Sequence, residues 1–547
     1  MRNPMKSPRE SRLFKWLKRI AFVAVALITL TVLVVVIEGY RAKRAWNACK
    51  QELEANGEKL DWPDLAPSPV PADENFLATP ALAPCFGFDI NSAKSGPDYA
   101  DTNACHELQQ RLAWAGHLPG PGDWRKAAVI DLARWQTELR ATDAGNKATD
   151  GGDRAREMAK RYGLPESAIR SAGAADQAPG SPAWTALLDR PAGTPLEDLR
   201  FLLDYDKQTL DEIRDATRRP ACQLSPNVAL DPEALLPQLA RLKSLVYPFR
   251  ASCWTELVAG NPAAALTDFE TMLALSRAAG SQPLLIGMLV QIATAEIAIG
   301  PLWAGLAEHR WSEAELVRLE ELLREQNMVA EMQRGLRGER AFALAMLGWP
   351  SGNEDKRDSS EMKAMRAAVR WWPAAVIYRN RINIVRAYQE VLLARLNPAG
   401  PSVRVQPTAA DQAVRERFGR HSPYNIFTPM LLKAIEKGLE KAARSQATVT
   451  LARVACALER HRLAKASYPE SLEQLSPGFL DRLPPDPING GRLKYRREAP
   501  DRFVLYSVGL DGRDDGGVIS APDSEKAKEA KDIVWQSHPS PATAPQP

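Results

Sequence analysis

The chain has 547 residues, 45% of them apolar and 25% charged, so it can bury several cores, and its length favours about two to four domains. Lysine and arginine number 71 against 67 acidic residues, and a formal charge of +4 over this length provides no basic surface for nucleic acid. The composition therefore excludes a disordered chain and argues against nucleic acid as a partner.

The first predicted element is a membrane anchor over residues 20–37, IAFVAVALITLTVLVVVI. This stretch has no charged residue and would span about 27 Å as a helix, close to the hydrocarbon thickness of a bilayer. A cleaved signal peptide is the alternative, but the stretch is long for one, and the sequence VIEGYRAKRAW at its end offers no small-x-small cleavage site. We therefore predict an uncleaved transmembrane anchor in the lipid bilayer.

The charges on either side of the anchor predict its orientation. Seven basic residues precede it and four follow within a similar distance, and the cytoplasmic flank of a span carries the excess of lysine and arginine. We therefore predict a cytoplasmic tail over residues 1–19, with everything after Glu38 outside the cytoplasm. The basic residues are Arg2, Lys6, Arg9, Arg12, Lys15, Lys18 and Arg19 before the anchor, and Arg41, Lys43, Arg44 and Lys50 after it.

Six cysteines would then face an oxidising compartment, where up to three disulfides are possible. The pairs that lie near each other in sequence are Cys85 with Cys105 and Cys222 with Cys253, and buried free thiols are the alternative. The chain has no C-x-x-C motif, which argues against a thioredoxin-like or zinc-ribbon role. The remaining two cysteines are Cys49 and Cys456.

Residues 38–193 predict an irregular, membrane-proximal helical region. Proline-rich and polar linkers separate two amphipathic patterns, CHELQQRLAWAG from residue 105 and WRKAAVIDLARWQTELRA from residue 124.

Residues 194–427 predict a helical-repeat-like domain. One helix is expected over PLEDLRFLLDYDKQTLDEIRDATR from Pro195, and a capping box of Ser312 and Glu315 is expected to begin another. The stretch ASCWTELVAGNPAAALTDFETMLALSRAAG from Ala251 places apolar residues around a Gly-Asn-Pro turn. It resembles one helical hairpin of the tetratricopeptide type, in which a small residue allows the two helices to approach closely.

Two features of this region raise the question of further membrane contact. Residues 283–306, PLLIGMLVQIATAEIAIGPLWAGL, are apolar enough for a second span, but Gln291 and Glu296 near the middle favour a buried helix. Trp371 and Trp372 can mark a partner surface or a membrane interface, whereas tryptophans beside a helical run belong more often to the core.

The C-terminal module is predicted over residues 428–535. Thr428 and Pro429 open a long helix that continues to about Lys465. The runs GRLKYR and RFVLYSV then alternate around a short polar turn, which predicts an antiparallel hairpin packed on that helix. Residues 536–547 are predicted as a disordered tail.

This module resembles the C-terminal globular part of the major pseudopilins of type II secretion systems. The shared order is a helix, Tyr-Pro, a leucine-containing segment, Pro-x-Asp-Pro, a glycine turn, a tyrosine-bearing strand, Tyr-Ser-x-Gly-x-Asp-Gly, and a closing Asp-Ile with Trp. The resemblance covers about a sixth of the chain, and the pseudopilin processing motif is missing from the anchor. The matching residues are Tyr468-Pro469, Leu472, Leu475, Pro484, Asp486-Pro487, Gly490, Tyr495, Tyr506-Ser507, Gly509, Asp511-Gly512, Asp532-Ile533 and Trp535.

The resemblance implies a calcium site in the stretch YSVGLDGRDDGG, with Asp511 and Asp532 as ligands. Asp514 and Asp515 add oxygen donors of the type that hard cations prefer. An EF-hand is excluded, because the third and twelfth positions counted from Asp511 are Arg513 and Pro522. A solvated turn held by Asx-type hydrogen bonds is the alternative to calcium, and a catalytic carboxylate pair is a weaker one.

The sequence contains no G-x-S-x-G, no phosphate-binding glycine loop and no H-E-x-x-H, so it predicts no catalytic residues. We predict a bacterial inner-membrane protein with a single span, its bulk in the periplasm, acting as a non-catalytic scaffold that binds other proteins. A link to type II secretion follows only from the resemblance. The alternative is an envelope-anchored hydrolase whose site is built from scattered residues.

Overall fold

The computed structural model describes residues 8–88, 101–118, 122–129, 132–141, 181–224, 232–347, 372–405, 408–419, 422–518 and 532–538. Within these residues the protein is mainly helical and has small antiparallel sheets, as the sequence predicts. Residues 1–7 of the predicted cytoplasmic tail and residues 539–547 of the predicted C-terminal tail lie outside the described part.

The helices, in chain order, are Pro8–Ala55 (α1), Trp62–Leu65 (α2), Ala83–Phe86 (α3), Thr102–Leu112 (α4), Leu132–Ala141 (α5), Pro182–Leu188 (α6), Pro195–Tyr205 (α7), Lys207–Ala216 (α8), Pro232–Ala259 (α9), Pro262–Ala279 (α10), Leu285–Ala307 (α11), Glu313–Glu325 (α12), Met328–Leu347 (α13), Ala374–Ala387 (α14), Ala409–Gly419 (α15) and Thr428–Lys465 (α16). The strands are Gly122–Asp123 (β1), Ala128–Val129 (β2), Leu396–Asn397 (β3), Ser402–Val403 (β4), Lys494–Ala499 (β5), Arg502–Ser507 (β6) and Ile533–Gln536 (β7).

The chain forms two compact units, each assembled from separate segments. The domain boundaries predicted from sequence follow chain order instead, and they stay a prediction. Unit 1 comprises Met1–Asp64, Arg340–Glu390 and Ala413–Lys433, and unit 2 comprises Leu65–Glu339, Val391–Gln412 and Ala434–Pro547.

The α1 helix runs without a break for 48 residues and contains the whole predicted anchor. The most apolar 18 residues of α1 are not buried against any described residue, and Phe22 is 76% exposed. The hydroxyls of Thr29 and Thr31 donate hydrogen bonds of 2.8 Å to backbone carbonyls one turn earlier, so these polar groups need no water. By length, composition and exposure, α1 fits a single-pass membrane anchor.

Beyond the predicted span, α1 continues as a packed part of unit 1, which the sequence analysis did not anticipate. Trp46 and Leu53 are buried on this extension and pack in one core with Leu344 and Val385. This contact explains why the helix continues, since an amphipathic face that is buried stabilises a helix more than its propensity does.

Unit 2 is mainly helical and contains the helical hairpin predicted around the Gly-Asn-Pro turn. The α9 and α10 helices are joined at Gly260 and Asn261, and Gly260 adopts φ of 82°. The α11 helix contains the apolar run that was considered as a second span, and 56% of its most apolar 18 residues are buried. Glu296 forms an ion pair of 2.8 Å with Arg125. These observations agree with the predicted buried helix.

The C-terminal module follows the predicted order. The α16 helix spans Thr428–Lys465, and β5, β6 and β7 form one antiparallel sheet with β6 in the centre. Every side chain of β6 after Arg502 is buried. Trp535 of β7 packs against Trp124 with ring centroids 5.7 Å apart, so the closing strand belongs to the core of unit 2.

Two predicted helices differ in the structure. The pattern from residue 124 is helical only in α5, because Trp124–Lys126 form one 3-10 turn and β2 follows. The single helix predicted from Pro195 is broken at Asp206, whose buried carboxylate accepts hydrogen bonds from Trp114 at 2.9 Å and Arg111 at 3.1 Å. These long-range bonds hold the break in place.

The predicted capping box at Ser312 also differs. The Ser312 hydroxyl bonds the Glu315 carboxylate instead of a backbone amide. A complete capping box occurs at Thr194 and Glu197, at the start of α7, where sequence analysis did not expect one.

Candidate functional site

The pairing of β6 with β7 positions the aspartate-rich turn. Ser507 at the end of β6 pairs with Ile533 at the start of β7 in an antiparallel register. Asp532 comes directly before β7, so it lies beside the chain that leaves β6. The register therefore brings together two parts of the sequence that the resemblance assigned to one site.

The Asp532 carboxylate holds this turn closed through backbone amides. It accepts hydrogen bonds from the amides of Gly509 at 3.1 Å, Asp515 at 3.0 Å and Gly517 at 2.9 Å. Burial raises the pKa of Asp532, and the three amide bonds oppose that rise because they favour the charged form.

The other three predicted ligands make different contacts. Asp514 accepts hydrogen bonds of 3.0 Å from the Tyr506 hydroxyl and the Gly516 amide, and lies 3.3 Å from the Lys494 ammonium. Asp511 accepts a hydrogen bond of 3.1 Å from the Arg513 amide, as in an Asx turn. Asp515 contributes its backbone amide to Asp532, as described above.

These contacts decide how well the turn fits a calcium ion. Amide hydrogens point at both Asp532 oxygens, and they present the positive ends of their dipoles where a cation would have to lie. Within the described residues, no group of three or more acidic, histidine or cysteine side chains is arranged to hold a metal. The hydrogen bonds described above are those of the closed turn that was the alternative to calcium. Calcium binding by Asp511, Asp514, Asp515 and Asp532 stays a prediction.

A second buried carboxylate connects two more of the matched motif residues. Asp486 is fully buried and accepts hydrogen bonds from the Ser507 hydroxyl at 2.7 Å, the Ile488 amide at 2.8 Å and the Val508 amide at 3.1 Å. Burial raises its pKa. The Pro-x-Asp-Pro and Tyr-Ser segments are therefore joined by hydrogen bonds, which gives their order along the chain a physical reason.

A third network surrounds Glu459 near the end of α16. Its buried carboxylate accepts hydrogen bonds from His309 Nδ1 at 2.9 Å, Arg462 Nη2 at 2.7 Å and the Tyr468 hydroxyl at 2.7 Å. Burial alone would raise the pKa of Glu459, but these hydrogen bonds outweigh it and lower the pKa to about 2. Glu459 is therefore ionised at neutral pH and fully used as an acceptor.

Catalysis by this network would need a general base and a nucleophile. An imidazole oriented by a buried carboxylate can act as a general base. However, none of the hydrogen bonds described for His309 comes from a serine, threonine or cysteine.

The structure also has a polar cavity of about 430 Å³ in unit 2, lined by Arg277, Arg318, Glu325 and Glu331 among others, and His309 does not line it.

Sequence reasoning missed the network of Glu459 because its members are far apart in the chain. His309 lies 150 positions from Glu459. The run LARVACALERH does contain a signal, because Glu459 follows a series of apolar residues in α16. A carboxylate that is buried with such residues needs hydrogen-bond donors. The sequence alone does not say which partners.

Two of the six cysteines interact. Cys85 and Cys105 are both buried, and the interaction between their side chains raises the pKa of Cys85 and lowers the pKa of Cys105. Cys222 and Cys253 have different charged neighbours. All six cysteines are free thiols in the structure, so the two pairings considered from sequence stay predictions.

A scan against models of protein families, a search of curated proteins and a search of solved structures gave no significant match to this chain.

Proposed function

We propose that this protein is an envelope protein anchored by α1, with its body outside the cytoplasm, and that it serves as a scaffold that binds other proteins. The observation that carries the proposal is the unburied apolar half of α1, which continues directly into the core of unit 1. An exposed apolar surface of this length is stable in a bilayer and unstable in water.

The position of the body follows from charge. Seven basic residues before the span and four after it favour a cytoplasmic N-terminus. With α11 packed inside unit 2, the chain has one candidate span among the described residues that is free to enter lipid. A single span with this orientation puts everything from Glu38 onward in the periplasm.

A scaffold role is supported by how the polar groups of unit 2 are used. The carboxylates of Asp486, Asp532 and Glu459 accept hydrogen bonds that close turns and join elements. Stacked helical hairpins of the kind formed by α9 and α10 provide extended surfaces for protein partners. The resemblance of the C-terminal module to major pseudopilins further suggests partners connected with type II secretion.

An envelope hydrolase is the second candidate, and the contact of His309 with Glu459 is the observation that favours it. A general base in a hydrolase needs a nucleophile or a water within hydrogen-bond reach. Assays of the purified chain with ester, amide and glycoside substrates distinguish the two proposals. Hydrolysis that is lost in a His309→Gln variant would favour the enzyme, whereas its absence in both chains is expected for a scaffold.

Membrane extraction followed by capture of partners tests the scaffold proposal. The full chain should stay in the membrane pellet at alkaline pH, and a chain that lacks residues 20–37 should be released. Crosslinking in intact cells should then join the full chain to other envelope proteins, each in a reproducible ratio to the full chain. Release of the full chain at alkaline pH would contradict the anchor, and a chain that crosslinks to no other protein would contradict the scaffold.

A further inference from the structure

The membrane end of unit 1 can be located because α14 runs parallel to α1. The Cβ atom of Ala374, at the start of α14, lies 3.4 Å from the place where a Cβ would stand on Gly39. Arg386, near the end of α14, forms an ion pair with Glu52 of α1. The two contact points lie thirteen residues apart on α1 and twelve apart on α14. The two helices therefore run side by side in the same direction. The α14 helix therefore begins at the level where the predicted span ends.

A group of mostly aromatic side chains lies at this end of unit 1, and we call it the rim. Trp372 and Phe427 stack with ring centroids 5.7 Å apart. Trp372 lies two residues before the start of α14, and Phe427 lies directly before α16. Tyr40, Tyr424 and Ile426 are 72%, 40% and 44% exposed. The rim consists of Tyr40, Trp372, Tyr424, Ile426 and Phe427.

Two contacts connect the loop that carries Tyr424 to the end of the span. The Arg379 guanidinium lies 5.5 Å from the centre of the Tyr424 ring and 3.4 Å from the Glu38 carboxylate. Side chains of a helix point toward its N-terminus, so Arg379 reaches from α14 back toward the predicted span. The ring of Tyr424 is thereby held near the level of Glu38, while its backbone carbonyl accepts a hydrogen bond of 2.7 Å from Asn383, further along α14.

The depth of Tyr40 in the rim matches the headgroup layer of a bilayer. Tyr40 lies three residues beyond Ile37, which is about 4.5 Å along the helix. Each headgroup layer is about 5 to 8 Å deep, since it makes up the difference between the hydrocarbon core and the whole bilayer. Tryptophan and tyrosine favour this layer because their rings are amphipathic. Arg41 and Arg379 lie beside the rim with side chains 70% and 44% exposed, and both pair with Glu38, so the three side chains together carry one positive charge.

We infer that the rim is a second membrane-contact surface, which inserts its aromatic side chains among the lipid headgroups of the leaflet that α1 leaves at Ile37. Arg41 and Arg379 contact headgroup phosphates there. The inference rests on the proposed anchoring by α1. A single helix leaves the attached unit free to tilt and rotate, whereas a helix and a rim together fix the orientation of unit 1 on the bilayer.

Photocrosslinking to lipid tests the inference on the full chain. The photoreactive residue p-benzoylphenylalanine replaces one side chain at a time in protein reconstituted into nanodiscs of phosphatidylcholine and phosphatidylglycerol. The test position is Tyr424, and Ile426 is a second one in case the first variant folds poorly. Phe22 in the span is the positive control. Gln51 is the matched negative control, because it is exposed on the same helix but lies about 21 Å beyond Ile37.

We expect lipid adducts at Phe22 and Tyr424, with a yield at Tyr424 at least about tenfold above that at Gln51. Adducts at Phe22 with none at Tyr424 and Ile426 would overturn the rim and leave the anchor intact. The absence of adducts at Phe22 would overturn the anchor itself, and with it the rim. Equal yields at Tyr424 and Gln51, or adducts between two copies of the chain in place of lipid, would also overturn the rim.

Discussion

The Tyr468 hydroxyl donates a hydrogen bond of 2.7 Å to the Glu459 carboxylate, and both groups are buried. Tyr468 also packs edge-on against Phe503 of β6, with ring centroids 4.7 Å apart. One side chain therefore joins the end of α16 to the sheet. The Tyr-Pro motif at this position has a structural role that does not require catalysis.

Removing this hydroxyl should loosen the C-terminal module. In a Tyr468→Phe variant the ring contact with Phe503 is kept but Glu459 loses one of its donors. We expect a loss of about 1 to 3 kcal/mol, because a buried charged acceptor is left undersatisfied. Amide hydrogen exchange of the peptides around β6 measures this loss locally. A Tyr205→Phe variant is the control, since Tyr205 is 45% exposed; equal exchange in the two variants would contradict the role of Tyr468.

The same carboxylate should make stability depend on pH in the acidic range. The pKa of Glu459 falls from 4.5 to about 2 in the folded protein. A carboxylate with a lowered pKa contributes its full stability above its unfolded pKa and loses it as the pH falls toward the folded value. We therefore expect the full chain to lose up to about 3 kcal/mol through this group between about pH 5 and pH 2.

Guanidinium unfolding of the full chain in detergent, followed by circular dichroism at a series of pH values, measures this dependence. A Glu459→Gln variant lacks the titrating group and should show a shallower fall in unfolding free energy over the same range. Parallel curves for the two chains would contradict the depressed pKa.

Asp532 should be necessary for the aspartate-rich turn. Its replacement in an Asp532→Ala variant removes the acceptor for three backbone amides, so we expect faster amide exchange at Gly509 and Gly517 and a local loss of about 2 to 4 kcal/mol. The control is Asp501→Ala in the same module, where the side chain is 73% exposed and its ion pair should contribute little.

Calcium distinguishes the two descriptions of this turn. If hydrogen bonds close it, added calcium or a chelator leaves exchange at Gly509 and Gly517 unchanged. If Asp511, Asp514, Asp515 and Asp532 hold an ion, calcium at 100 times its dissociation constant adds about 2.7 kcal/mol. That increase would contradict the hydrogen-bonded turn and establish the predicted site.

Cys85 and Cys105 should form a disulfide in a periplasmic protein. Their side chains are buried and interact, and the lowered pKa of Cys105 favours its thiolate as the group that attacks an oxidised disulfide donor. Cys85 then displaces the donor, which leaves as a dithiol, and the protein becomes two hydrogen atoms lighter. Peptide mass spectrometry after thiol alkylation detects the bond. Cys456 is the control because it is fully buried in α16 and should stay a thiol; alkylation of both Cys85 and Cys105 would contradict the pairing.

The parts of the fold that depend on local patterns could be predicted from the sequence. The bounds of α16 and the hairpin of β5 and β6 follow from periodicity, and the turn at Gly260 and Asn261 follows from its residue types. The apolar run likewise predicted α1, a long helix whose unburied apolar part fits a single-pass membrane anchor.

The parts that depend on distant contacts could not be predicted in this way. The break at Asp206 exists because Trp114 and Arg111, more than 90 positions away, bond its carboxylate. The packed extension of α1 beyond the span requires Leu344 and Val385, which are some 300 positions away. A single sequence contains these residues but gives no indication that they meet.

The most direct test of the central claim is the location of the C-terminus of the full chain in living cells. Alkaline phosphatase, which folds only outside the cytoplasm, and a fluorescent protein that folds only inside it are each fused after Pro547. A single span by α1 with a cytoplasmic N-terminus predicts active phosphatase in the membrane fraction and no fluorescence. Fluorescence together with inactive phosphatase, or either fusion recovered free of lipid in the soluble fraction, would contradict a membrane-anchored protein whose body lies outside the cytoplasm.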